Sequence, residues 1–169
     1  MPEAIPRPSA RILLADDLDR VLLFHGFGSA RSPARWLTPG GGVRPGEPLN
    51  AAAARELREE TGLVVAPEEF GPVVAVSSGH WTSDDGRRFL ASDSYFFLRA
   101  PEATVDVSGM EQLERSLVTA FHWWPLDDLR TTTEHIVPLD LATLLEPLLA
   151  GELPSEPVII PWHHEEPAQ

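Results

Sequence analysis

Residues 40–63 constrain this chain more than any other stretch. Gly40-Gly41-Gly42-Val43-Arg44-Pro45-Gly46-Glu47 is followed, after seven residues, by Arg55-Glu56-Leu57-Arg58-Glu59-Glu60-Thr61-Gly62-Leu63. The first part is a glycine-rich loop. The second is the end of a short helix packed with alanine. Pro48 suits a first helical position, where its missing N–H costs nothing. Gly62 suits the left-handed residue that ends a helix. At about 100° per residue, Leu49, Ala52, Ala53, Glu56, Glu59 and Glu60 share one broad face, and Ala51, Ala54 and Arg58 point the other way. Small residues beside the glutamates predict a helix pressed closely against a sheet.

Those glutamates form an awkward group. Glu56, Glu59 and Glu60 fall at i, i+3 and i+4, so their side chains are neighbours on the helix surface. They also occupy its last turn, where the macrodipole already disfavours anions. Splaying into water, taking up protons or holding a cation would each relieve the repulsion. Hard divalent cations prefer oxygen ligands, and magnesium bridges protein carboxylates to substrate phosphates while keeping several waters. A magnesium or manganese site for a phosphate-bearing substrate is the chemistry that this pattern best supports.

Gly41, five residues, Glu47, seven residues, then Arg55-Glu56-Leu57-x-Glu59-Glu60-x-Gly62-Leu63 resembles the complete Nudix box, over residues 41–63. The resemblance implies a magnesium-dependent pyrophosphohydrolase (Mn2+ being the other candidate ion) in an α/β/α sandwich with a mixed β-sheet. The local reading alone gives only α/β with a mixed sheet. By the same resemblance Glu56, Glu59, Glu60 and the carbonyl of Gly41 would hold metal, while Arg55 would pair with Glu47 or Glu56 and orient them. A metal-activated water would attack one phosphorus of a diphosphate. The base varies within the family, so Glu59, Glu60 and a later-loop glutamate, Glu114 before Glu111, are all candidates. Arg31, Arg35, Trp36 and Phe27 lie where relatives often contact substrate, and His80, Trp81, Arg87 and Arg88 are candidates for an opposite wall.

The substrate implied is a nucleoside diphosphate linked to another moiety. A (d)NTP pyrophosphohydrolase of the nucleotide-sanitising type is the alternative, and a non-catalytic nucleotide sensor is the alternative of another class. The subclass marks do not choose. The proline of ADP-ribose enzymes is missing where Ser78-Gly79-His80 stands, and the tyrosine of dinucleoside polyphosphate enzymes is replaced by His80 and Trp81. The sensor reading is the weaker one, because such relatives commonly lose box carboxylates and this chain keeps them all.

Composition removes other chemistries. There is no cysteine, so a thiol nucleophile, a disulfide framework and the isomerase chemistry of some Nudix relatives are excluded. All thirteen basic residues are arginine, which excludes Schiff-base and Walker-lysine mechanisms. A formal net charge of −13 argues against nucleic acid and anionic membranes as partners. No signal-like start or spanning segment is evident, so a cytoplasmic protein is expected; a homodimer is left open.

One domain spanning 10–150 is predicted, after an irregular lead-in at 1–9 and before a Pro/Glu-rich tail at 151–169 that is expected to be extended or mobile. Within it, 11–15 and 20–24 read as antiparallel neighbours joined at Asp16-Asp17. Trp36-Leu37-Thr38 reads as a brief strand entering the glycines. Strands are also expected at 64–65, 73–76, 89–98 and 118–124, with a polar loop from His80 to Arg88. Leu126 to Leu129 is a helical turn, and 137–149 has helical spacing that Pro147 should kink or end. His163-His164 is read as part of the tail rather than as a metal site.

Overall fold

The computed structural model describes residues 3–26, 34–100, 104–110 and 118–162. Its centre is a pair of long strands, β1 (Ile5–Ala15) and β6 (Arg88–Arg99), which run parallel along eleven consecutive partners from Ile5↔Phe89 to Ala15↔Arg99. Between them in sequence come β2 (Arg20–Gly26), β3 (Arg35–Leu37), β4 (Gly40–Gly42), helix α1 (Leu49–Thr61) and β5 (Val73–Thr82). After β6 follow β7 (Val118–Pro125), α2 (Leu126–Thr131), β8 (Ile136–Val137), α3 (Leu141–Leu149) and β9 (Val158–Ile159). Among the described residues the sheet order is β8-β3-β2-β1-β6-β5-β9, with β4 paired to β1 and β7 to β2. The β1–β6, β3–β8 and β5–β9 ladders are parallel and the rest antiparallel, so the sheet is mixed.

Alternation along β1 sends its side chains to two different layers. Ala10, Ile12 and Leu14 point to one face and pack with Phe96, Leu98 and the Ala52, Ala53 and Leu57 stripe of α1. Leu13 points to the other, where Tyr95, Ala75 and Trp124 meet Leu141, Leu144, Leu145 and Leu148 of α3. Helices cover both faces. The α/β/α expectation holds.

Several local expectations need correction. The lead-in is not wholly irregular, because β1 begins at Ile5 despite Pro6 and Pro8. The Pro8 carbonyl accepts from Val43 N and Ile12 N donates to the Pro39 carbonyl, so even-numbered residues of β1 bond on the β4 side. The N–H groups missing at Pro6 and Pro8 would face that short side, so the ladder to β6 loses nothing. No strand forms at 64–65; Val64 is exposed, and the following turn closes on buried Phe70. β5 runs on through His80 and Trp81 to Thr82, which shortens the expected loop to Ser83–Arg87. Pro147 lies inside α3, but so near its end that the helix still reaches Leu149. Beyond Gly151, Val158–Ile159 pairs with β5 and Ile160 N donates to the Val76 carbonyl at 2.9 Å, so this stretch is held to the sheet.

Candidate active site

Helix α1 delivers its glutamates to the glycine strand β4. Pro48 is the N-cap residue in an extended conformation, one position earlier than the sequence reading placed it, and Gly62 closes the helix at φ 78°, its N–H donating to the Arg58 carbonyl. Ala52, Ala53, Glu56, Leu57, Glu60 and Thr61 are buried. The small alanines let the axis approach the sheet, and that approach brings two carboxylates, Glu56 and Glu60, out of water with the core.

Each carboxylate meets a different environment. Glu60 accepts a hydrogen bond from Gly40 N at 2.8 Å. Glu56 lies directly against Gly41: a Cβ there would sit 2.6 to 2.8 Å from the three carboxylate atoms, so any side chain would have to displace that carboxylate. One Glu56 oxygen, Oε1, accepts from Arg55 Nη1 at 2.9 Å, while Oε2 is buried with no hydrogen-bond partner among the described residues. Burial pushes the Glu56 carboxyl above its ordinary pKa, Arg55 opposes that, and Glu59 adds to the rise. Leaving a buried carboxylate oxygen unpaired is costly, which fits a bound cation as its partner.

Arg55 ties the loop to the helix. Its Nε and Nη2 form a two-pronged contact with both oxygens of Glu47, 2.9 Å each, and Nη2 also donates to the Gly42 carbonyl at 2.9 Å. It pairs with both Glu47 and Glu56, where the sequence reading offered one or the other. Hydrogen bonding from Arg55 pulls the Glu47 carboxyl down to about 2, with Arg44 N adding a second donor. Glu59, partly exposed, stands 3.6 Å from Arg55 Nη1 and 4.0 Å from Arg44. Among the described residues no three acidic or histidine side chains converge on one point.

Beside the loop lies a cavity of about 210 Å3, to which Gly42 contributes. Alternate residues Arg7, Ser9 and Arg11 of β1 stand across the ladder from Ala91, Asp93 and Tyr95 of β6, and all six line it. Arg35 and Trp81 join from β3 and β5. Arg11 reaches the Thr38 and Gly40 carbonyls at 3.4 and 3.2 Å, linking this wall to the glycines. Burial, and then the positive charge of Arg11, lower the Arg35 pKa, so two guanidinium groups share a half-buried space with the Asp93 carboxylate. Asp93 is buried and accepts from Ser9 Oγ at 2.5 Å.

Of the sequence candidates, Gly41, Glu47, Arg55, Glu56, Glu59 and Glu60 come together, and Arg35 and Trp81 reach the cavity. Trp36 does not line it. Its ring packs against His25 and Trp124, centroids 4.9 and 5.3 Å away, because β3 turns it toward the α3 layer and a separate groove. His80 points away from the cavity by strand alternation. Arg87 is exposed and paired with Asp85. Phe27, Arg31, Glu111, Glu114, His163 and His164 lie outside the described residues. Arg7, Ser9, Arg11, Asp93 and Tyr95 were missed. Arg7, Ser9 and Arg11 do fall at every second position of β1, which marks one face of a strand but not that a cavity lies on it.

Known proteins agree with this architecture. An RNA pyrophosphohydrolase of Caulobacter vibrioides is 32% identical over 142 residues, covering 78% of this chain and 77% of that protein. Diphosphoinositol polyphosphate phosphohydrolase 2 of Rattus norvegicus is 51% identical, but over 45 residues, 27% of this chain and 24% of its own. The NUDIX domain of Shewanella oneidensis NrtR, solved with ADP ribose, superposes with a TM-score of 0.60 at 17% identity, covering 88% of this chain and 90% of that one. The NUDIX domain family matches residues 5–143, and the chain belongs to the Nudix family of hydrolases acting on phosphorus-containing anhydrides.

Proposed function

We propose that this chain is a magnesium-dependent pyrophosphohydrolase acting on a nucleoside diphosphate linked to another moiety. The observation that carries the reading is contiguity. A carboxylate oxygen of Glu56, buried with no partner among the described residues, and an arginine-lined cavity both border the three-glycine strand, at Gly41 and Gly42. In this reading Glu56, Glu59, Glu60 and the Gly41 carbonyl hold the ion, and Glu47 and Arg55 fix the loop against the helix. Magnesium suits a site without three converging carboxylates, because it keeps waters and takes one or two protein carboxylates plus substrate oxygens. When bound, such an ion acidifies water and offsets charge on the transferred phosphorus.

The chain's own residues do the rest. Arg11 and Arg35 hold the substrate's phosphate oxygens, and their positive field favours the extra charge of the transition state. Water adds to one phosphorus, the bridging P–O bond breaks, and the water proton passes to a carboxylate. Glu59, Glu60 and Glu114 are the candidates for that acceptor.

A magnesium-dependent phosphate-release screen tests this across nucleotide sugars, dinucleoside polyphosphates, (d)NTPs and a 5′-triphosphorylated oligonucleotide. The last is included because the Caulobacter relative is named for RNA. Release from diphosphate-linked nucleosides is expected, and Glu60→Gln should lower kcat at least about a hundredfold. Release from none would favour the sensor reading. Glu114→Gln should cut kcat without raising KM if that residue takes the proton; a change confined to KM would remove it from that role.

A further inference from the structure

The cavity has one wall that comes from the end of the chain. β9 joins β5 in parallel, Ala75↔Val158 and Val76↔Ile159, and buried Ile160 anchors the next residue in the core. Trp162, two residues on, reaches back over the sheet and lines the cavity with the arginines. Its seat is cut for it: a Cβ at Gly79 would collide with Cγ, Cδ1 and Cδ2 of the indole. One face of the pyrrole ring therefore rests on bare backbone, which leaves the opposite face as the one that can meet a ligand. Trp81, two residues along the same face of β5, is fixed by stacking on Phe89, centroids 4.5 Å apart at 24°. An aromatic wall thus stands beside Arg7, Arg11 and Arg35.

We propose that the strap Val158–Trp162 is part of the substrate site, and that Trp162 supplies the surface on which the planar base of a nucleotide stacks. This rests on the reading of the cavity as the site of a nucleoside diphosphate, and assigns the base of that nucleoside to a wall supplied by the strap. Arginines alone would suit any polyphosphate, including the highly charged cyclitols for which the shorter-matching relatives are named. A tryptophan wall is different. Every nucleobase has a π-face, and stacking on an aromatic ring is insensitive to which base is present. A cyclitol or bare sugar phosphate offers no such face and gains nothing from the ring.

The test compares AMP with ribose 5-phosphate, two ligands that share a phosphate and ribose and differ by the base. Both are titrated calorimetrically into the full chain without metal, so that no turnover is needed. Wild type should bind AMP more tightly than ribose 5-phosphate. Trp162→Leu keeps apolar bulk but removes the π-face and should weaken AMP about tenfold, an effect typical of one lost base stack. Ribose 5-phosphate should change less than about twofold, and Trp162→Phe should recover most of the AMP affinity. Gly79→Ala, which pushes the indole off its seat, should reproduce the leucine result.

The inference is overturned if wild type binds the two ligands equally, if Trp162→Leu binds AMP as wild type does, or if it weakens both alike. The hydrolysis screen is read separately. A protein that releases no phosphate yet shows the expected AMP pattern would lose the proposed activity and keep this site.

Discussion

At the scale of single residues, the site is a distribution of charge around one guanidinium. Arg55 spends its donors on Glu47, Glu56 and the Gly42 carbonyl, and the consequence for Glu47 is measurable. Its folded carboxyl sits near 2, against about 4.3 in an unfolded chain. A depressed pKa contributes stability that is fully present above the unfolded value and is lost as pH falls through the folded one. Wild type should therefore exceed Glu47→Gln in urea midpoint at pH 6, with the gap closing between about pH 4.3 and 2. A gap that stays constant across that window would dissociate Glu47 from the arginine. These residues were legible beforehand because their spacing is fixed within 23 residues of chain, a distance over which one loop and one helix determine position. The arginine wall was not. Arg7, Arg11 and Arg35 meet only after three strands have paired, and nothing local in β1 shows which of its faces will line a cavity.

At the scale of elements, α1 is held by its two ends and by the β4 glycines. Gly62 sits at φ 78°, and a side chain there would also come within 3.2 Å of Asp106. Gly62→Ala should cost about 1 to 2 kcal/mol, read as a lower urea midpoint with unchanged slope. A neutral result would mean that the helix end relaxes without this cap. Sequence patterning located α1 to within one or two residues and found β6 and β7, because thirteen-residue amphipathic and aromatic-rich segments carry strong periodic signals. It failed where tertiary pairing decides. β1 extends through two prolines because the affected edge needs few donors, and Val64-Val65 stays out of the sheet although its residues favour strands.

At the scale of the whole molecule, one sheet separates two cores with different duties. The layer beneath α1 positions the carboxylates, whereas the α3 layer reaches the cavity through Tyr95 and through Ile160, which anchors the strap that carries Trp162. Leu145 is fully buried in that second layer. Leu145→Ala should lower stability by about 2 to 5 kcal/mol while kcat of the folded enzyme at 25 °C stays within about twofold. A kcat loss of the same order as that of Glu60→Gln would show the two layers to be coupled. The eleven-partner ladder between β1 and β6 has a further consequence, in time rather than in space. Ser9 finds Asp93 only after 84 more residues have been made, a wait on the order of ten seconds at ordinary rates of synthesis. During that interval the apolar end of β1 lacks its parallel neighbour. On the ribosome this chain must shield its first strand until its sixth emerges, and the strap that carries Trp162 emerges later still.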